Sequence, residues 1–110
     1  MVIAIGDIHA RVPDREQVTA LMRASETAAR AQPGCLYYAF AEALDEPGHF
    51  VLVEQWQDER SLDAHYRSAA FASYQEQIGA HLVRSSDLRV FEASGGVTVQ
   101  PRALEPQQDG

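Results

Sequence analysis

The sequence predicts a single α+β domain whose elements follow in the order strand, helix, strand, strand, helix, strand. Three observations carry this. A β-branched-rich stretch opens the chain, a pair of apolar stretches around a Pro-Gly turn occupies its middle, and two segments with apolar residues at three- and four-residue spacing separate these from a last short strand-like stretch. The 110 residues suffice for one hydrophobic core and are too few for two domains of ordinary size.

Residues 2–9 (VIAIGDIH) read as the first strand, apolar at its start and alternating towards its end. Pro13 and Asp14 then signal a helix start, with Gln17 placed three residues after Asp14 in the manner of a capping box. Val18, Leu21, Met22, Ala28 and Ala29 mark an amphipathic helix that ends before Pro33-Gly34. Residues 35–44 (CLYYAFAEAL) are ambiguous by composition. Their aromatics, and the Pro-Gly pairs at 33–34 and 47–48 that bracket them, favour a strand. After the turn at Asp45–Gly48, residues 49–57 (HFVLVEQWQ) give the clearest strand of the chain, completing a hairpin. Alternation puts Phe50, Leu52, Glu54 and Trp56 on one face and Val51, Val53 and Gln55 on the other. Asp58 or Ser61 caps a helical region running through Leu62, His65 and Tyr66 to Phe71, Tyr74, Ile78 and Leu82, with a restart at Ser68. Residues 87–93 form the last strand.

That order is the split βαβ arrangement of a ferredoxin-like antiparallel sheet with both helical regions on one face. Residues 1–94 are expected to form the domain, and residues 95–110, rich in Gly, Pro and Gln, a tail that is flexible or packed on a partner. The uncovered sheet face, with Val51 and Val53, is too apolar for water, so a homodimer is expected.

Composition removes several classes of function. A net charge of −7 argues against nucleic acid as a partner, because phosphate binding needs a basic face. The chain has no lysine, which excludes Schiff-base catalysis and a phosphate-loop lysine. The lone Cys35 cannot form an internal disulfide, and the opening MVIAIGDIHA lacks the pattern of a signal peptide, so a cytoplasmic location is expected. No apolar run approaches the roughly 20 residues that cross a bilayer, so no membrane is expected as a partner.

Four motifs fall along residues 33–74: Pro33-Gly34-Cys35 before the second strand, Glu54-Gln55-Trp56 on the third, and Ala64-His65 followed by Ser68-Ala69-Ala70-Phe71 in the helical region. Together they resemble the antibiotic-biosynthesis-monooxygenase family. The resemblance implies a dimeric α+β barrel in which two sheets face one another, each subunit holding a pocket between its sheet and its own helices. It also implies oxygen chemistry without a cofactor, on a small electron-rich aromatic substrate such as a quinol, phenol or anthrone. The chain departs from the haem-degrading members at Asp7, His65 and Gln75, and from the anthrone oxygenases at Leu52.

Within that frame His65 is the first candidate for the base that forms a phenolate or enolate, since an unperturbed imidazole titrates at roughly 6.5. Glu54, if it faces the helices, needs a partner or a shifted pKa, and with Asp7 completes the candidate catalytic set. Trp56 offers a stacking platform, Tyr66 a hydrogen bond, and Leu52, Phe71 and His9 further substrate contacts. Asp7 and His9, two apart on one strand, share a face. A metal site of His9, His65 and Glu54 has suitable ligand types but no supporting spacing, so no metal is expected. A non-catalytic small-molecule binding protein, or an isomerase or epimerase using His65 and Glu54 as an acid/base pair, would use the same pocket.

Overall fold

The computed structural model describes residues 1–99. Strands β1 (Val2–His9), β2 (Cys35–Glu42), β3 (His49–Trp56) and β4 (Asp87–Glu92) pair antiparallel in the order β2-β3-β1-β4. Helix α1 (Arg15–Arg30) links β1 to β2, and α2 (Glu59–Tyr66) with α3 (Ala69–Ile78) links β3 to β4. This is the ferredoxin-like α+β architecture that the pattern predicts. Among the described residues no helix is long and apolar enough to cross a membrane.

The local chemistry explains most element ends. Asp58 Oδ1 accepts from the Ser61 backbone N–H at 2.8 Å, and Ser68 Oγ accepts from that of Phe71 at 3.1 Å, so α2 and α3 each begin on a capped turn. Gly34 and Gly48 have positive φ angles, +84° and +85°, which let the chain turn tightly into β2 and β3. As the outer strand, β2 has backbone groups facing away from β3, and α1 satisfies two of them. Arg30 Nε donates to the Tyr38 carbonyl at 3.0 Å, and Glu26 Oε2 accepts from Phe40 N–H at 2.8 Å.

Strands β3 and β4 each stop one residue short of the sequence reading, and three further element ends depart from it for chemical reasons. Asp14 makes no capping bond, because its carboxylate is taken by His81 Nδ1 at 2.9 Å and by Arg11, and a 3-10 turn (Val12–Asp14) leads into α1 instead. Strand β2 stops at Glu42, whose carboxylate accepts from Gly48 N–H and pairs with Arg15, leaving Leu44 in the exposed turn. Helix α3 ends at Ile78 in a second 3-10 turn (Gly79–His81), and Leu82 bridges to Ala10. Residues 93–99 have no regular secondary structure, and the rest of the expected tail lies outside the described residues.

The core lies between the helices and one sheet face. Phe50, Leu52, Glu54 and Trp56 of β3 are all buried there against Val18, Met22 and Ala29 of α1 and Leu62 of α2. Among the described residues the opposite face has no helix over it, and it carries Ile5, Val51, Val53 and Phe91, with Ile5 42% and Phe91 43% exposed.

Candidate active site

Strand β3 delivers Glu54 and Trp56 to the helix side because they are two residues apart, and α2 brings His65 down onto them. The Trp56 indole N–H donates to Glu54 Oε1 at 2.9 Å, and the His65 ring stacks on the indole with centroids 4.9 Å apart and planes 29° from parallel. On its far side, His65 Nδ1 lies 2.7 Å from Gln32 Oε1. That oxygen can only accept, so Nδ1 carries the hydrogen and Nε2 the lone pair. Among the described residues Nε2 has no hydrogen-bond partner, and it lies 3.8 Å from Glu54 Oε1.

Burial drives the two groups apart in acidity. The His65 side chain is 3% exposed and that of Glu54 1%. Removal from water penalises whichever form is charged. Glu54 is therefore pushed up to about 7, a rise moderated by the Trp56 hydrogen bond, and His65 is pushed down to about 4. Near neutrality His65 is a neutral imidazole, while Glu54 exchanges its proton at physiological pH. The phenols of Tyr66 and Tyr74 are raised by burial and by the nearby Glu54, and stay protonated.

Beside this pair a cavity of about 460 Å³ opens between the sheet and α2–α3, within the range of small-ligand pockets. Gly6, Leu52 and Glu54 line it from the sheet, and Tyr66, Phe71 and Tyr74 from the helices. Tyr66 and Phe71 lie 5.1 Å apart between centroids, and Phe71 and Tyr74 stack at 6.4 Å, so one wall is aromatic. The buried Tyr66 hydroxyl has no hydrogen-bond partner among the described residues. The cavity thus combines an aromatic wall and one proton-exchanging carboxyl with polar groups from Gln75, Ser85, Ser86 and Asp87.

Of the residues singled out from sequence, Glu54, Leu52, Tyr66 and Phe71 line this cavity, and His65 reaches it only through Glu54. Trp56 is wholly buried and does not line it, because His65 covers the indole face that a substrate would stack on. Its hydrogen bond is to Glu54. Asp7 and His9 share a face as expected, but it is the open one: Asp7 pairs in register with Val51, and His9 with His49. A set of His9, His65 and Glu54 is therefore divided by the sheet. Sequence reasoning passed over Gln32, which sits in the loop before Pro33 and fixes the His65 tautomer, and Tyr74, read only as a helix-face aromatic.

The family model for "Antibiotic biosynthesis monooxygenase" matches residues 1–77. "Putative monooxygenase Rv0793" of Mycobacterium tuberculosis is 37% identical over 73 residues, covering 66% of this chain and 71% of that protein. "Uncharacterized protein sll1783" of Synechocystis is 24% identical over 91 residues, 83% of this chain but 62% of its own length, so this chain spans less than two thirds of that relative. The solved structure of Rv0793 superposes with a TM-score of 0.81 at 30% identity, covering 88% of this chain and 98% of that one. A structure from Deinococcus radiodurans, 24% identical with a TM-score of 0.86 over 92% of this chain and 100% of its own, shares the fold.

Proposed function

The chain belongs to the antibiotic biosynthesis monooxygenase family, and on that footing we propose that it is a cofactor-independent monooxygenase oxidising a small electron-rich aromatic, a quinol, phenol or anthrone-like molecule, with molecular oxygen. The observation that carries this reading is Glu54: a carboxyl buried in the wall of an aromatic-lined cavity and held near pH 7. A base matched to the working pH is the one catalytic group that oxidation of an acidic phenol or anthrone demands.

In this reading the ionised Glu54 takes the substrate proton, and the aromatic wall beside it keeps the anion poorly solvated and electron-rich. The anion passes one electron to oxygen, and the substrate radical and superoxide combine in a new carbon–oxygen bond. Glu54 returns its proton to the peroxide. The O–O bond then breaks as the same carbon loses its remaining hydrogen, so that one oxygen atom stays as a carbonyl and the other leaves in water. The substrate supplies all four electrons. Tyr66 donates a hydrogen bond to the substrate oxygen, and neutral His65, held by Gln32, keeps an acceptor facing the Glu54 proton. The His65 assignment thus moves from base to positioning residue, because an imidazole held near 4 is too weak a base for the task.

The reading includes a homodimer, with the second copy covering the apolar centre of the open face around Ile5 and Val53. The test is oxygen uptake with anthrone and 1-naphthol under ¹⁸O₂. The expected result is turnover above the protein-free rate, one labelled oxygen per product molecule, and kcat/KM rising with pH through about 7. Glu54→Gln, once shown to be folded, should lower turnover about 10²-fold or more. Tight binding of both aromatics with no labelled product would instead support a binding protein, and solvent-proton exchange into substrate without oxygen uptake an isomerase.

A further inference from the structure

The open face carries a second cluster that this chemistry does not use. His9 and His49 stand directly opposite one another at the end of β1 and β3, their rings stacked at 4.4 Å and 13° from parallel. The β2–β3 turn swings Glu46 over both, with Oε1 3.7 Å from His9 Nδ1 and Oε2 3.3 Å from His49 Nδ1. We propose that His9, His49 and Glu46 bind a divalent transition-metal ion of the zinc class, with Asp7 orienting His49 and a fourth position left to solvent.

The geometry supports this at three points. All three donor atoms lie within 4.8 Å of one another. Ligands about 2.0–2.1 Å from a tetrahedral zinc are separated by about 3.3 Å, so the two Glu46 contacts need little or no closing. A metal lies in the plane of each imidazole that ligates it, so the stacked rings must rotate apart about Cβ–Cγ to bind one ion, with their Nδ1 atoms as the ligands. Asp7 Oδ1 lies 2.7 Å from His49 Nε2, so that nitrogen donates to the carboxylate, and Nδ1, facing Glu46 Oε2 at 3.3 Å, is the nitrogen left to ligate once it holds no proton. This is the carboxylate–histidine arrangement that orients metal-bound imidazoles. At His9 the Arg84 guanidinium donates to Nδ1 at 3.0 Å, which puts the lone pair of that ring in the same place. Finally, both imidazoles project from paired strands with side chains 16% and 19% exposed, so two of the three ligands are held by the sheet and only Glu46 rides on a turn.

Arg84 marks where the ion belongs. Its guanidinium lies 3.0 Å from His9 Nδ1 and 3.9 Å from Glu46 Oε1, so the position is already one for a cation. The arginine is exposed and its side chain is long enough to swing out, which makes it a competitor of the metal. The set departs from the expectation of no metal because its members meet through strand register and a turn, and spacing along the chain does not show that.

The test is isothermal titration of the untagged 110-residue chain with zinc chloride, repeated with cobalt(II) while its visible absorption is followed. One zinc per chain and the intense cobalt bands of a tetrahedral site are expected. His49→Ala and His9→Gln should each abolish that stoichiometry, and Asp7→Asn should weaken binding about 10- to 100-fold. Arg84→Ala should tighten it, and His81→Ala, whose ring is engaged with Asp14, should leave it unchanged. Circular dichroism of each metal-free variant separates loss of the site from loss of the fold. Absence of binding in both the wild type and Arg84→Ala, or equal affinity in folded His49→Ala and His9→Gln, would overturn the proposal.

Discussion

The two faces of this sheet each hold a histidine beside a carboxylate, and the contrast between them shows what burial does that distance does not. On the open face His49 and Asp7 touch at 2.7 Å, with side chains 19% and 46% exposed. On the helix face His65 and Glu54 are 3.8 Å apart and almost wholly buried. By distance the open pair is the stronger. Water screens it, however, and such pairs contribute about 0–1 kcal/mol. The buried pair has no water to share its charge, so the cheaper state is the one with no charge at all, Glu54 protonated and His65 neutral.

The contrast depends on the open face remaining wet where Asp7 stands, at the end of the strands, with the proposed second copy covering only the apolar centre. Val53→Glu places a carboxylate in that centre, opposite Ile5 and Ala39. In a dimer it should cost several kcal/mol and convert the assembly to monomer or unfold it. Small-angle scattering of wild type should return twice the chain mass and the variant half of that. A wild-type monomer at micromolar concentration would remove the partner, leaving the whole open face to solvent.

The buried pair is tested through the pH dependence of stability. Glu54 stands near 7 in the fold against 4.5 in an unfolded chain, so from pH 4.5 to 7 the native state keeps a proton the unfolded state has released. Stability from this group is therefore full below pH 4.5 and lost as pH rises through 7, a difference of about 3 kcal/mol. His65 acts in the opposite sense: it stays neutral in the fold down to about 4 while the unfolded chain protonates below 6.5, so its contribution is lost as pH falls across that window. In wild type the two largely offset between pH 4.5 and 6.5. Glu54→Gln removes one of them. Urea midpoints should show the variant gaining on wild type by about 3 kcal/mol between pH 4.5 and 8, with a stability that climbs from pH 4 to 6.5. Parallel curves for the two proteins would mean that Glu54 is not held protonated.

How much of this the sequence disclosed follows from which interactions are local. Alternation along β3 is local, and it put Phe50, Leu52, Glu54 and Trp56 on one face, all of them buried. The sharing of a face by Asp7 and His9 is equally local. Which face is not, because β1 is apolar on both sides: Ile3 and Ile5 look to the open face as Val2, Ala4 and Ile8 look to the core, and Gly6 has no side chain to tip the balance. The Trp56 placement failed for a related reason. Alternation gives the face of the sheet but not which helix residue lies on top, and that is His65, 9 positions on. Gln32 and Glu46 sit in a loop and a turn, where no periodicity marks a residue, and each meets its histidine only once the strands are in register.

The smallest expected effect bears most directly on the open face. Asp7→Asn removes one charge but keeps an oxygen that His49 Nε2–H can reach, so only the charge assistance of a partly exposed hydrogen bond is lost. With Asp7 nearly half exposed, metal-free stability should change by less than about 1 kcal/mol, measured by urea denaturation near pH 7. The same substitution is expected to weaken zinc binding about 10- to 100-fold, because an orienting carboxylate acts on a bound ion far more than on the empty fold. A stability loss above about 2 kcal/mol would say that Asp7 is dry, with the partner subunit reaching past the apolar centre to the end of the strands. The two histidine–carboxylate pairs would then differ in distance alone, and burial would no longer be what separates them.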